Sequence, residues 1–221
     1  MNNYIALLIV SLILIVSTEN SIGNEKTEKR MILNGELTME KLDQLIKKNS
    51  QNNSLTELEL ENSLGSGSSA GKIVDAFEEF FNKQHIETFV SGGCYSTCAN
   101  IFLLGENRTM LPESGKAYTH LMIHAYRNNQ TKEINFGLTD KTFKKINEKS
   151  NNKFPLSLLE RIYDDKNGTG SGELYIFREP YLTTTGTSHV LICQGKNIKH
   201  LKECEPILGI TPEDLGIKIV K

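Results

Sequence analysis

Past residue 30 the apolar positions fall into two alternating periods. Residues 31–37 form a short apolar run of strand character, and Thr38 then opens a segment with Leu42, Leu45 and Ile46 at helical spacing behind a Thr N-cap. Residues 49–54 are a polar loop, and residues 55–60 alternate Leu with Thr or Glu at period two, which predicts a strand. That strand runs into a Gly/Ser-rich turn over residues 62–71. Beyond it, Ile73, Val74, Phe77, Phe80 and Phe81 make a broad apolar stripe, the mark of a helix packed on a core.

The alternation continues. Residues 85–90 predict a strand with Ser91-Gly92-Gly93 as its tight exit, and residues 96–104 an apolar helix ended by Gly105. A further strand is expected over 116–124, two helical pieces over 136–161 broken before Pro155, and short strands at 174–177 and 189–193. Asp140 is expected as a helix N-cap before Lys141. Strand and helix in alternation predict an α/β fold of repeated βαβ units with a mostly parallel sheet.

Length and charge narrow the function. At 221 residues and 38% hydrophobic, the chain can bury one substantial core, so residues 31–221 are assigned to a single domain. A net charge of −2 with scattered basic residues makes nucleic acid a poor partner. Residues 4–16 are apolar except for Ser11, too short for the roughly 20 residues of a spanning helix but right for a signal-peptide core. Residues 1–23 are therefore expected to be a signal peptide, or failing that a membrane anchor, with 24–30 a polar linker. The protein is accordingly expected to be exported, periplasmic or extracellular, or tethered to a membrane by residues 4–16.

The four cysteines, Cys94, Cys98, Cys193 and Cys204, favour disulfides in an exported chain. Three pairings are open, of which Cys94 with Cys98 and Cys193 with Cys204 needs the least rearrangement. Neither spacing matches a common zinc site, and no metal or cofactor is implied.

The segment richest in chemistry is Gly92-Gly93-Cys94-Tyr95-Ser96-Thr97-Cys98-Ala99-Asn100. A serine at a sharp strand-to-helix turn holds its hydroxyl at a helix N-terminus, where amides and dipole favour developing negative charge. The competing reading makes Ser96 an ordinary N-cap.

Three stretches carry a family resemblance. Asn62-Ser63-Leu64-Gly65-Ser66-Gly67-Ser68-Ser69-Ala70-Gly71 resembles the Asn-Ser-Pro-Gly-Gly-Ser-x-x-Ala-Gly loop of the Clp protease proteolytic subunit. Ser96 with its helix to Gly105 resembles that family's nucleophile and following helix, and Leu111-Pro112 before Met122-Ile123-His124 resembles its catalytic histidine stretch. The Cys-x-Ser-x-Cys is similar to that of exported Clp-like proteins. The resemblance implies a Clp/crotonase-type fold, Ser96 as nucleophile, His124 as general base, and the Gly65 and Thr97 amides as oxyanion donors. It also implies a peptide or protein substrate and a homo-oligomer, and it places the third catalytic residue at Asp164 or Asp165, where a polar turn competes. Leu64 and Ser66 depart from the family loop, and Ser66 would be strained if its position needed positive φ.

The pair Ser96 and His124 is then expected within about 2.6 to 3.2 Å, or somewhat longer in an unliganded form, with the two amides converging on one point about 3 Å from each. His120, His85, His189 and His200 are expected to be ordinary strand or surface histidines. The leading expectation is an exported, peptidase-like serine hydrolase. Its first rival is a non-catalytic Clp-like binding or assembly domain stapled by disulfides. Crotonase-type acyl-CoA chemistry, the second, leaves the Ser-His pair unexplained.

Overall fold

The computed structural model describes residues 29–52, 55–66, 69–113, 118–128, 130–131, 133–163, 172–194 and 200–220. Residues 1–23 and the candidates Asp164 and Asp165 lie outside the described residues. Among those described, no helix is long and apolar enough to cross a membrane.

The chain begins with three strand–helix repeats. They are β1 (Arg30–Glu36) and α1 (Met39–Asn52), β2 (Glu57–Gly65) and α2 (Ala70–Gln84), and β3 (Glu87–Tyr95) and α3 (Thr97–Leu103). β1, β2 and β3 pair in parallel in that order. β1 opens at Arg30, inside the expected linker, because the Arg30 guanidinium is anchored to Glu57 and Glu59 of the neighbouring strand. Thr38 accepts from the Lys41 amide at 3.3 Å, as an N-cap should.

At β3 the sheet forks. Residues 88–90 pair with β4 (Arg108–Met110), whereas residues 93–95 pair with β5 (His120–His124), both in parallel. The chain then passes through α4 (Phe136–Lys149) and α5 (Leu156–Glu160) to an antiparallel extension, β6 (Glu173–Leu182), β7 (Thr187–Cys193) and β8 (Glu205–Ile207). A last short strand, β9 (Lys218–Ile219), runs parallel to β4. The sheet is therefore parallel from β1 to β5 and at β4–β9, and antiparallel from β5 through β8.

The core follows the apolar pattern. Ile73, Val74, Phe77, Phe80 and Phe81 of α2, Leu58 and Leu60 of β2, and nearly all of α3 are buried together. In β5, Leu121 and Ile123 enter this core, so the strand alternation turns His120 and His124 to the opposite face.

Two local expectations are corrected. Ser91-Gly92-Gly93 is no exit turn, since β3 runs straight through it to Tyr95. Gly92 serves close approach instead: at φ 71°, a Cβ there would lie 2.1 Å from Asn62 Oδ1. Asp140 lies inside α4, where it accepts from the Tyr163 hydroxyl at 2.8 Å. The N-cap is Asn135, whose side chain accepts from the Leu138 amide at 3.0 Å.

Candidate active site

Parallel register brings the candidate residues together. Cys94 of β3 lies opposite Ser63 of β2 on one side and Leu121 of β5 on the other. Counting forward along three parallel strands, Gly65, Ser96 and His124 all fall at the carboxyl ends, the edge where α/β sheets commonly bind ligands. The Ser96 amide extends the pairing by donating to the Met122 carbonyl at 2.7 Å.

Ser96 stands at the N-cap position of α3 but does not behave as a cap. Its side chain makes no capping hydrogen bond, and its backbone has φ 56° and ψ −116°, whereas an ordinary cap lies in the β region. Non-glycine residues held in such a conformation cost about 1–3 kcal/mol and persist only where their surroundings enforce them. The same geometry frees the hydroxyl from the helix it precedes.

Ser96 and His124 line one cavity of about 450 Å³, together with Ser66, Lys72, Asp75 and Tyr126. Among the described residues no hydrogen bond joins the Ser96 hydroxyl to His124, although both side chains line this cavity. The His124 ring is instead held by its own strand end, with Nδ1 2.8 Å from the Ala125 carbonyl oxygen. A carbonyl can only accept, so Nδ1 is the donor, and in the neutral tautomer this selects, the lone pair is on Nε2. Sequence reasoning missed this contact because backbone carbonyls have no signature; it sought an acidic side chain for the same orienting task.

Gly65 closes the site from β2. It has φ 83°, and a Cβ there would lie 2.6 Å from the Tyr95 carbonyl oxygen, 3.0 Å from the Thr97 nitrogen and 3.3 Å from the Cys98 nitrogen. Only glycine leaves the first-turn amides of α3 uncovered. The two expected oxyanion donors differ, however. The Gly65 amide donates to Ser63 Oγ at 3.3 Å, while among the described residues nothing accepts from the Thr97 amide. Ser66 escapes the expected strain, since among the described loop residues the left-handed positions are Asn62, Gly65 and Ser69.

Asp75 is the carboxylate among the described lining residues. Burial alone would raise its pKa, but hydrogen bonds from Lys141 and Lys145, with their charges, outweigh this and hold it below the usual value. Lys145 is further paired with Glu78. Asp75 is thus committed to α4. Tyr126 closes the cavity wall; its hydroxyl accepts from Asn100 Nδ2 at 2.8 Å, and burial chiefly pushes its pKa up to about 12.

The other histidines lie elsewhere. His120 is buried against Tyr95 and Phe177 with Nδ1 2.7 Å from the Tyr118 carbonyl oxygen, and burial lowers its pKa despite that bond. His189 contacts the Phe177 carbonyl through Nδ1 at 3.0 Å, His85 faces Glu106 at 3.2 Å, and His200 precedes the short 3-10 helix Leu201–Glu203. The cysteines are joined as adjacent pairs, Cys94 to Cys98 with a Cα separation of 5.3 Å and Cys193 to Cys204 with 4.6 Å. The first bond brackets Ser96.

No protein-family profile matches the chain, and no curated protein does. Among solved structures, it is similar to a variant of ClpP1 from Listeria monocytogenes at 21% identity and a TM-score of 0.46, over 63% of this chain and 79% of that one. It is also similar to the ClpP protease catalytic domain from Plasmodium falciparum, at 22% identity and a TM-score of 0.44, over 62% and 73% of the respective chains.

Proposed function

We propose that the protein is an exported serine hydrolase acting on peptide bonds, with Ser96 as nucleophile and His124 as general base. The observation that carries this reading is the backbone of Ser96, a strained residue at an N-cap position that makes no capping bond and faces a cavity shared with a histidine. An N-cap serine has no reason to be strained, whereas a nucleophile does. In the reaction, Ser96 Oγ attacks the substrate carbonyl while His124 Nε2 takes its proton, then returns it to the leaving amine. The Thr97 amide, at the positive end of α3, stabilises the tetrahedral oxyanion. Gly65 keeps that amide uncovered and joins it as a donor if substrate draws its N–H from Ser63. Catalytic hydrogen bonds are commonly long without substrate and tighten around it. The Ala125 carbonyl fixes the imidazole tautomer, and Asp164 or Asp165 is the proposed third catalytic residue. Export accords with two disulfides, which persist in oxidising compartments, and with the apolar residues 4–16.

A fluorophosphonate probe tests the proposal on purified protein. Labelling should be stoichiometric, absent in Ser96→Ala and at least a hundredfold slower in His124→Ala. Failure of the wild type to label would favour a non-catalytic domain. Labelling that survives His124→Ala but disappears in Lys72→Met would move the base to the lysine lining the same cavity.

A further inference from the structure

We infer that the Cys94–Cys98 disulfide is a positioning element for the nucleophile, keeping Ser96 in its strained backbone conformation. This rests on the function proposed above. Ser96 has a cheaper alternative: rotation of its backbone into the β region would make it an ordinary N-cap, with its hydroxyl accepting from the amide of Cys98 or Ala99. That state would turn the hydroxyl out of the cavity, so something must exclude it. On one side Ser96 is fixed by the sheet, through its amide on the Met122 carbonyl and through Cys94 in register with Ser63 and Leu121. On the other side, its carbonyl accepts from the Asn100 amide at 3.1 Å, and the sulfur bridge adds to the main chain a second covalent link between the strand end and the first turn of α3.

The bridge encloses Tyr95, Ser96 and Thr97, with both cysteines fully buried in the main core. Letting Ser96 relax changes the path from strand to helix and so the separation of residues 94 and 98, which the bond limits. A pair four residues apart closes a very short loop, the kind that constrains an unfolded chain least. Its effect is therefore local. The left-handed residue within the loop is Ser96 itself.

Saturation kinetics with the fluorophosphonate separate probe binding from the bond-forming step. In Cys94→Ala/Cys98→Ala the first-order labelling rate should fall at least tenfold, while the half-saturating probe concentration stays within threefold of wild type. Cys193→Ser/Cys204→Ser is the matched control, expected to label within twofold of wild type. Equal labelling rates in wild type and a folded Cys94→Ala/Cys98→Ala variant would overturn the inference and leave the serine hydrolase standing. A variant that cannot fold would overturn it too, because the bond would then be holding the core and not the serine. A wild type that does not label at all removes the proposed function, and this inference with it.

Discussion

Cys94–Cys98 and Cys193–Cys204 each tie the end of a strand to the segment that follows, over sequence separations of 4 and 11. Their surroundings differ. The first pair lies in the parallel half of the sheet, in the main core, around a strained serine that faces a cavity. The second lies in the antiparallel half, in a small separate cluster with Phe177 and Leu191, and the described residues between its cysteines have no left-handed backbone. One bond sits where the chain must be held against its own preference, the other where two strands need only be kept adjacent. A disulfide's contribution is thus read from the backbone it encloses.

The sharpest way to break this comparison is to remove the strain. Ser96→Gly should abolish labelling, a loss of more than about a thousandfold, yet leave the protein as stable as wild type or up to about 2 kcal/mol more stable, because relief of the strain offsets the entropic cost of glycine. Chemical denaturation reads the second effect. A variant less stable than wild type by the full entropic cost of glycine, about 0.5–1 kcal/mol, would mean that Ser96 stores no strain. Next in size is Gly65→Ala, which places a methyl group against the Tyr95 carbonyl and the Thr97 amide. It should slow labelling about a hundredfold, the order expected for losing an oxyanion donor, and lower the melting temperature.

The second disulfide supplies the contrast. Cys193→Ser/Cys204→Ser should cost about 2–4 kcal/mol in denaturation, without the loss of rate expected at the first. The smallest effect is electrostatic. Asp75 has its pKa held below the unfolded value, so its pairs with Lys141 and Lys145 contribute stability above about pH 4. That contribution is lost as pH falls through the lower folded value. These pairs are substantially exposed, so Asp75→Asn should cost less than about 1 kcal/mol at pH 7. Its stability should also fall less than that of wild type between pH 7 and pH 2.

Much of this was legible in the sequence wherever burial imposes a period. The α2 stripe, the Leu alternation of β2 and the break before Pro155 each reappear as elements. Gly92 misled, because a glycine that makes room for the Asn62 side chain looks in sequence like a glycine that turns the chain. Asp140 misled for a related reason: capping depends on which residue leaves helical geometry first, and Asn135 does so five residues earlier. At the candidate site, residue types and order were enough to bring Ser96, His124 and Gly65 to one edge of the sheet. The left-handed backbone of Ser96, the Ala125 carbonyl and the commitment of the Gly65 amide to Ser63 were not legible, since each depends on backbone geometry that no residue letter encodes.

The central claim is that the backbone strain at residue 96 presents a reactive hydroxyl. It is tested most directly by digesting the fluorophosphonate-labelled, unreduced protein and locating the adduct by mass spectrometry. A single adduct on Ser96, present in wild type and absent from Ser96→Gly, is the predicted result. An adduct on another residue, or equal labelling of Ser96→Gly, would contradict it.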